Sequence, residues 1–88
     1  AMAYVHIALL DHRQETIELL DKFVDGQEQI VECSSITGSN DYVLKIIEKD
    51  TESLEKFIMQ HLLRLGIVRS STTNLILRQK KFTTALPL

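Results

Sequence analysis

The stretch from residue 31 to residue 46 reads Val31-Glu32-Cys33-Ser34-Ser35-Ile36-Thr37-Gly38-Ser39-Asn40-Asp41-Tyr42-Val43-Leu44-Lys45-Ile46. Its centre, Thr37-Gly38-Ser39-Asn40, is read as a turn, because Gly and Asn tolerate the positive φ angles that tight turns demand. Apolar residues that favour strands flank it: Ile30, Val31 and Ile36 before, Tyr42, Val43, Leu44, Ile46 and Ile47 after. Two paired strands are therefore expected, one over residues 28–37 and one over residues 41–48.

Working outward, residues 4–10 are short, apolar and partly β-branched, and read as another strand. Asp11 followed by Gln14 resembles a capping box and opens a helix. In that helix Ile17, Leu20 and Val24 share one side, Thr16, Leu19 and Phe23 widen the stripe, and Gly26 ends it. Beyond the hairpin, Asp50 caps a second helix that runs to about Leu65, with Leu54, Phe57, Ile58, His61, Leu62 and Leu65 as its stripe. Gly66 breaks it. A last strand is expected over residues 67–80, and residues 82–88, with Pro87, form a tail.

The order β-α-β-β-α-β places the chain in the α+β class. It suits a ferredoxin-like sandwich, a four-stranded antiparallel sheet with both helices on one face. In the first strand Val5, Ile7 and Leu9 point at the helices, which leaves Tyr4, His6, Ala8 and Leu10 on the far side. The third and fourth strands are apolar on both faces: Tyr42, Leu44 and Ile46 against Val43 and Ile47, then Leu75 and Leu77 against Ile76. A sheet with one wet face alternates more cleanly. The helix-free face is therefore expected to be covered by a second copy, making a homodimer.

Composition narrows the function. At 88 residues, 44% hydrophobic and 25% charged, the chain is an ordinary globular domain with one modest core. A formal net charge of −2 leaves no basic footprint for nucleic acid, and only Lys80 and Lys81 sit together among the cations. Cys33 is the lone cysteine, so an intrachain disulfide and a cysteine zinc site are excluded, as befits a reducing cytoplasm. No apolar run approaches the ~20 residues that cross a bilayer, and no membrane partner is expected. Ala1-Met2-Ala3 reads as a cloning scar ahead of a single domain over residues 4–88.

With these elements in place, residues 31–46 resemble the effector domain of the Lrp/AsnC family, in which a strand leads into a Gly-x-x-Asp-Tyr turn, here Gly38 to Tyr42. The resemblance continues through Asp50, the second helix, residues 68–78 and the ending Thr83-Thr84-Ala85-Leu86-Pro87-Leu88. One departure is Leu65-Gly66-Ile67-Val68, where the family usually has Leu-Pro-Gly-Val; it touches the loop, not the fold. The resemblance implies a domain that dimerises, assembles further, often to octamers, and binds an amino acid in clefts between dimers. It also implies a separate helix-turn-helix domain for DNA, for which this chain has no room. The chain is then either the effector half of a longer regulator or a stand-alone version that modulates full-length relatives.

The turn supplies the first candidate site: Thr37, Gly38, Ser39, Asn40, Asp41 and Tyr42. Asp41 can accept from an effector's ammonium, and backbone N–H groups around Gly38 can donate to its carboxylate. The plainer reading is a hairpin turn in which Asp41 bonds its own backbone. Ser70, Ser71, Thr72 and Thr73 form the second candidate, hydroxyls that could reach a ligand from a neighbouring subunit, although strand alternation lets only half of them face one pocket. His6, His12 and His61 lack metal-ligand spacing and read as structural or exposed. Cys33 has no local cation to activate it. The helix charges read as solvated faces. No catalytic residue, metal or cofactor is called for. An ACT-like regulatory domain of a metabolic enzyme, a small ferredoxin-like enzyme and a ligand-free oligomerisation domain are the alternatives; for the enzyme, neither a phosphate-cradling loop nor an enclosed polar pocket is evident.

Overall fold

A computed structural model describes residues 1–85. Alternation of core-facing residues sets the first strand, β1 (Met2–Leu9), in which Ala3, Val5, Ile7 and Leu9 are at most 2% exposed while Tyr4 reaches 37%. The strand starts at Met2, two residues ahead of the expectation, because Met2 and Ala3 already pair with Ile47 and Ile46. β2 (Ile30–Ser35), β3 (Tyr42–Ile47) and β4 (Val68–Leu75) complete an antiparallel sheet of order β2-β3-β1-β4. Two helical segments follow β1 and β3, α1 (Gln14–Gly26) and α2 (Thr51–Phe57). This is the expected α+β, ferredoxin-like arrangement.

Register assigns the faces. Val5 pairs with Leu44 on one side and Thr73 on the other, and Ala3 pairs with Ile46 and Leu75. Those residues share the helix side, where Leu20 of α1 and Leu54 and Phe57 of α2 close the core. The opposite face carries Tyr4, His6, Lys45, Val43, Thr72 and Asn74. There Lys45 lies 3.4 Å from Glu32 and 5.8 Å from the centre of the Tyr4 ring.

Several boundaries depart from the sequence reading. Asp11 is not the N-cap of α1: that position is Arg13, whose N–H donates to Asp11 Oδ1 at 3.0 Å. The Thr16 hydroxyl donates to the same oxygen at 2.6 Å, and Gln14 donates forward to Glu18 rather than back. Asp11 thus anchors the first turn from two residues upstream. Leu19, counted in the stripe, is 42% exposed. Asp50 does cap α2, accepting from the Ser53 N–H at 2.7 Å.

The second helix does not run uniformly to Leu65. After Phe57 it widens into a π turn over Ile58–Leu62 and tightens to a 3-10 turn over Leu63–Leu65. The wider turn changes the phase of the stripe, so Leu62 stays buried while His61 is exposed, stacked 5.5 Å from Phe57. Gly66 then adopts φ +74°, a left-handed conformation that costs an L side chain about 1 kcal/mol or more. Gly66→Ala is expected to lower stability by about 1 kcal/mol in urea denaturation, with the secondary structure unchanged. A neutral result would mean that the loop relaxes out of this conformation.

β4 stops at Leu75, five residues short of the expected end. Ile76 still donates to the Met2 carbonyl at 2.8 Å, the last position where β1 lies opposite. Strand propensity without a partner does not make a strand. Leu77, placed on the sheet in the sequence reading, is 90% exposed. Residues 86–88, with Pro87, lie outside the described residues.

Candidate functional site

At one end of the sheet β1 leaves for α1, β2 turns into β3, and β4 begins. The β1–β3 ladder ends where the Asp41 N–H donates to the Ile7 carbonyl at 2.9 Å. The next β1 amide facing that side belongs to Leu9, and no strand lies opposite it. The Asp41 side chain fills the gap: its Oδ2 accepts from the Leu9 N–H at 2.7 Å, and its Oδ1 lies 3.1 Å from His12 Nε2. A register shift between Ala8 and Leu9 opposite β4 leaves Arg69 as the extra residue there.

These contacts fix the charge of the site. The Leu9 N–H, then the hydrogen bond from His12, with a smaller contribution from the Arg69 charge, hold the Asp41 carboxyl below its usual range. Asp41 is therefore anionic at neutral pH, with a quarter of its side chain open to solvent. The carboxylate does not bond its own turn, as the plainer sequence reading had it. Its partners lie across the fold, and it keeps acceptor capacity beyond the two bonds it makes.

The turn around it is closed by the Ile36 N–H donating to the Asp41 carbonyl at 3.0 Å. Thr37, Gly38 and Ser39 are exposed and Asn40 half-buried, with Gly38 at φ +114°. Tyr42 turns away to the helix side, where it packs against the core and lines a cavity of about 510 Å³ with Ile17, Asp21, Cys33 and Ser35. Burial, and then the Asp21 charge, push the Cys33 thiol up, which disfavours a nucleophilic thiolate.

The hydroxyl run divides as alternation requires. Ser71 and Thr73 face the helix side, where they line a groove beside α2, and Ser70 and Thr72 face the helix-free side. Both Tyr42 and Ser71 pair with Ile7, so the two candidate segments flank a single strand and stand about 10 Å apart. The structure thus brings Asp41, Ser70 and Ser71 to one end of the sheet, and it sets Thr72 and Thr73 further along β4.

This frame has known counterparts. A family model described as the Lrp/AsnC ligand binding domain matches residues 2–86. The chain belongs to the Lrp/AsnC ligand-binding family. Transcriptional regulator AzlB of Bacillus subtilis is 32% identical to this Lrp/AsnC domain over 88 residues, all of this chain and 55% of that protein. A transcriptional regulator of Neisseria meningitidis, solved as a complex with L-Met, shares the fold at a TM-score of 0.90 and 23% identity, over 98% of this chain and 55% of that one. TTHA0845 of Thermus thermophilus matches at a TM-score of 0.77 and 28% identity, over 92% of this chain and 98% of its own. The Lrp/AsnC domain spans about half the length of the curated relatives it matches. Those relatives are transcriptional regulators, which favours this reading over the ACT-like one.

Sequence reasoning singled out Asp41 but missed Leu9, His12 and Arg69 of this Lrp/AsnC domain. Leu9 and Asp41 are 32 residues apart in the chain, and nothing local in either segment signals the contact. Among the described residues, no group of three or more His, Cys, Asp or Glu side chains could hold a metal ion, and no helix is long and apolar enough to cross a membrane.

Proposed function

We propose that this chain is the effector-sensing and oligomerising part of an Lrp/AsnC-type transcriptional regulator of the cytoplasm, and that it has no enzymatic activity. Its effector is a small molecule with an ammonium group, most simply an amino acid. Asp41 receives the ammonium, backbone N–H groups around Gly38 receive the carboxylate, and hydroxyls of the 70–73 run reach in from a neighbouring subunit. Ser39 and Asn40 rim the site, with Thr37 and Tyr42 at its flanks. The observation that carries this reading is the anionic, quarter-exposed Asp41 carboxylate at an open sheet end within a family-matched ligand-binding domain.

The site is open within one chain, which fits a ligand held between subunits. The helix-free face, with Tyr4 and Ile47 about 40% exposed, supplies the homodimer contact, and dimers associate into a larger assembly such as an octamer. DNA is reached only through a helix-turn-helix domain outside this chain or on a full-length relative. Effector binding that favours one assembly over another is typically worth ~1–3 kcal/mol, enough to reposition such domains.

Thermal unfolding against a panel of amino acids, at fixed protein concentration, tests the reading. An effector at ~100 times its Kd is expected to add about 2.7 kcal/mol and raise the midpoint by roughly ten degrees or more. Light scattering on the same samples shows which assembly it favours. No response to any amino acid would sink the sensor reading in its amino-acid form.

A further inference from the structure

The sheet end uses the two oxygens of the Asp41 carboxylate differently. Oδ2 accepts from the Leu9 N–H at 2.7 Å, a structural bond at a residue only 2% exposed. Oδ1 is the oxygen left for a ligand, and it already has a neighbour, His12 Nε2, at 3.1 Å. The Asp41 side chain is 25% exposed and the His12 side chain 63%. The carboxylate is therefore the anchored member of the pair, and the imidazole is the member free to swing into solvent.

His12 sits on the short connection between β1 and α1, whose backbone is pinned on both sides of it. The Leu10 N–H donates to the Ile67 carbonyl at 2.8 Å, and the Arg13 N–H donates to Asp11 Oδ1 at 3.0 Å. The charges next to His12 in the chain pair with each other: Arg13 Nε lies 3.3 Å from Asp11 Oδ2. Of the elements packed round the connection, the turn between β2 and β3 brings the Asp41 carboxylate. The start of β4 brings Arg69, whose positive charge acts on that carboxylate. Histidine is the side chain that ordinarily changes charge between pH 5 and 8. Over that range the ammonium of an amino acid keeps its proton, and Asp41, held below the carboxylate range, stays anionic. Of the three groups that meet at Oδ1, only the imidazole changes its charge.

We propose that His12 is a proton-dependent competitor for the Asp41 site: protonated, it holds Oδ1 as a fixed counter-ion and opposes an effector's ammonium; neutral, it yields. Binding of the ammonium therefore sends the proton of His12 to solvent, and by linkage a falling pH weakens the effector. The inference rests on the ammonium role of Asp41 proposed above and adds its regulation. It makes the domain a sensor of effector and acidity together.

Titration calorimetry of the whole chain with each common L-amino acid, at pH ~7.5 and pH ~5.5 on either side of the histidine range, tests it. The responding amino acid is expected to bind roughly five- to tenfold more weakly at the lower pH, the effect of one like charge at a solvent-screened position. Between the two pH values the heat of binding should vary with the ionisation enthalpy of the buffer, as release of a proton requires. His12→Gln keeps an N–H donor without a charge, and should bind at both pH values as tightly as the parent does at the higher. His12→Lys keeps a cation throughout, and should bind at both as weakly as the parent does at the lower. The position is exposed, so neither change is expected to disturb the fold. His61→Gln, at the Phe57 stack, should leave the parent's pH dependence in place. Equal parent affinity at both pH values, or a pH dependence that persists in His12→Gln, overturns the role of His12 and leaves the Asp41 site standing. Absence of binding by every amino acid at both pH values overturns the Asp41 reading and this inference with it.

Discussion

Phe57→Ala is expected to remove about 3–5 kcal/mol of stability, the largest single-residue effect expected in this domain. Phe57 is 3% exposed and joins the two helices: its ring stacks 6.2 Å from Phe23 of α1 and 5.5 Å from His61 in the π turn. Truncation loses the burial of the ring, leaves a cavity beneath α2, and forfeits aromatic pairs worth ~0.5–1.5 kcal/mol each. A chain of 88 residues has a total stability of roughly 4–13 kcal/mol, so the variant should be close to unfolding at physiological temperature. Urea denaturation measures this directly. Phe57→Leu should keep much of the loss at bay, and Lys56→Ala, which breaks only the exposed 3.6 Å pair with Glu52, should change stability by less than ~0.5 kcal/mol. A Phe57→Ala loss below ~1 kcal/mol would mean that α2 does not pack as described.

Asp41→Ala is expected to act twice. It leaves the Leu9 N–H without a partner at a position only 2% exposed, a loss of about 1–3 kcal/mol. It also removes the ammonium acceptor, so the amino-acid response seen with the parent protein should vanish even at temperatures where the variant is folded. The stability effect carries a pH signature. The Asp41 carboxyl is held below its ordinary value, so the folded state binds its proton less readily than the unfolded state. Its contribution is present at neutral pH, starts to fade as pH falls through the ordinary carboxylate range near 4, and is gone once pH has passed below the folded value. Parent and variant should therefore differ most at pH 7 and converge in acid. Asp11 and Asp50, held low by their own hydrogen bonds, keep both proteins acid-sensitive. A difference of constant size down to pH 2 would disprove the carboxylate–amide account, and an unchanged amino-acid response in the variant would remove the ammonium role.

What was legible in the sequence is what local pattern encodes. Short apolar, β-branched runs in residues 4–10 and 41–48, the turn between the second and third strands and the two helical stripes were enough to state the element order, the class and most of the core, because burial selects apolar side chains in each element. The segment around Gly38 was legible as a turn, and it became a candidate site through the acceptor chemistry of Asp41 and the family resemblance. That resemblance rests on the turn together with Asp50, the second helix, residues 68–78 and the ending over residues 83–88.

What the tertiary structure decided lies where a residue's partner is remote in the chain. Asp41 looked like a turn residue bonding itself, and its carboxylate is instead the acceptor for Leu9 and the neighbour of His12, because β3 begins only at Tyr42 and leaves no strand opposite that amide. Residues 77–80 were expected to continue the strand and do not, since β1 is no longer opposite them. His61 belongs to the helical stripe by spacing and leaves it by the phase shift of a π turn. The split of Ser70, Ser71, Thr72 and Thr73 between two faces follows from alternation, yet which pair meets the helices depends on the register with β1. Periodicity tells a side chain which way to face along its own element; only packing determines what stands opposite.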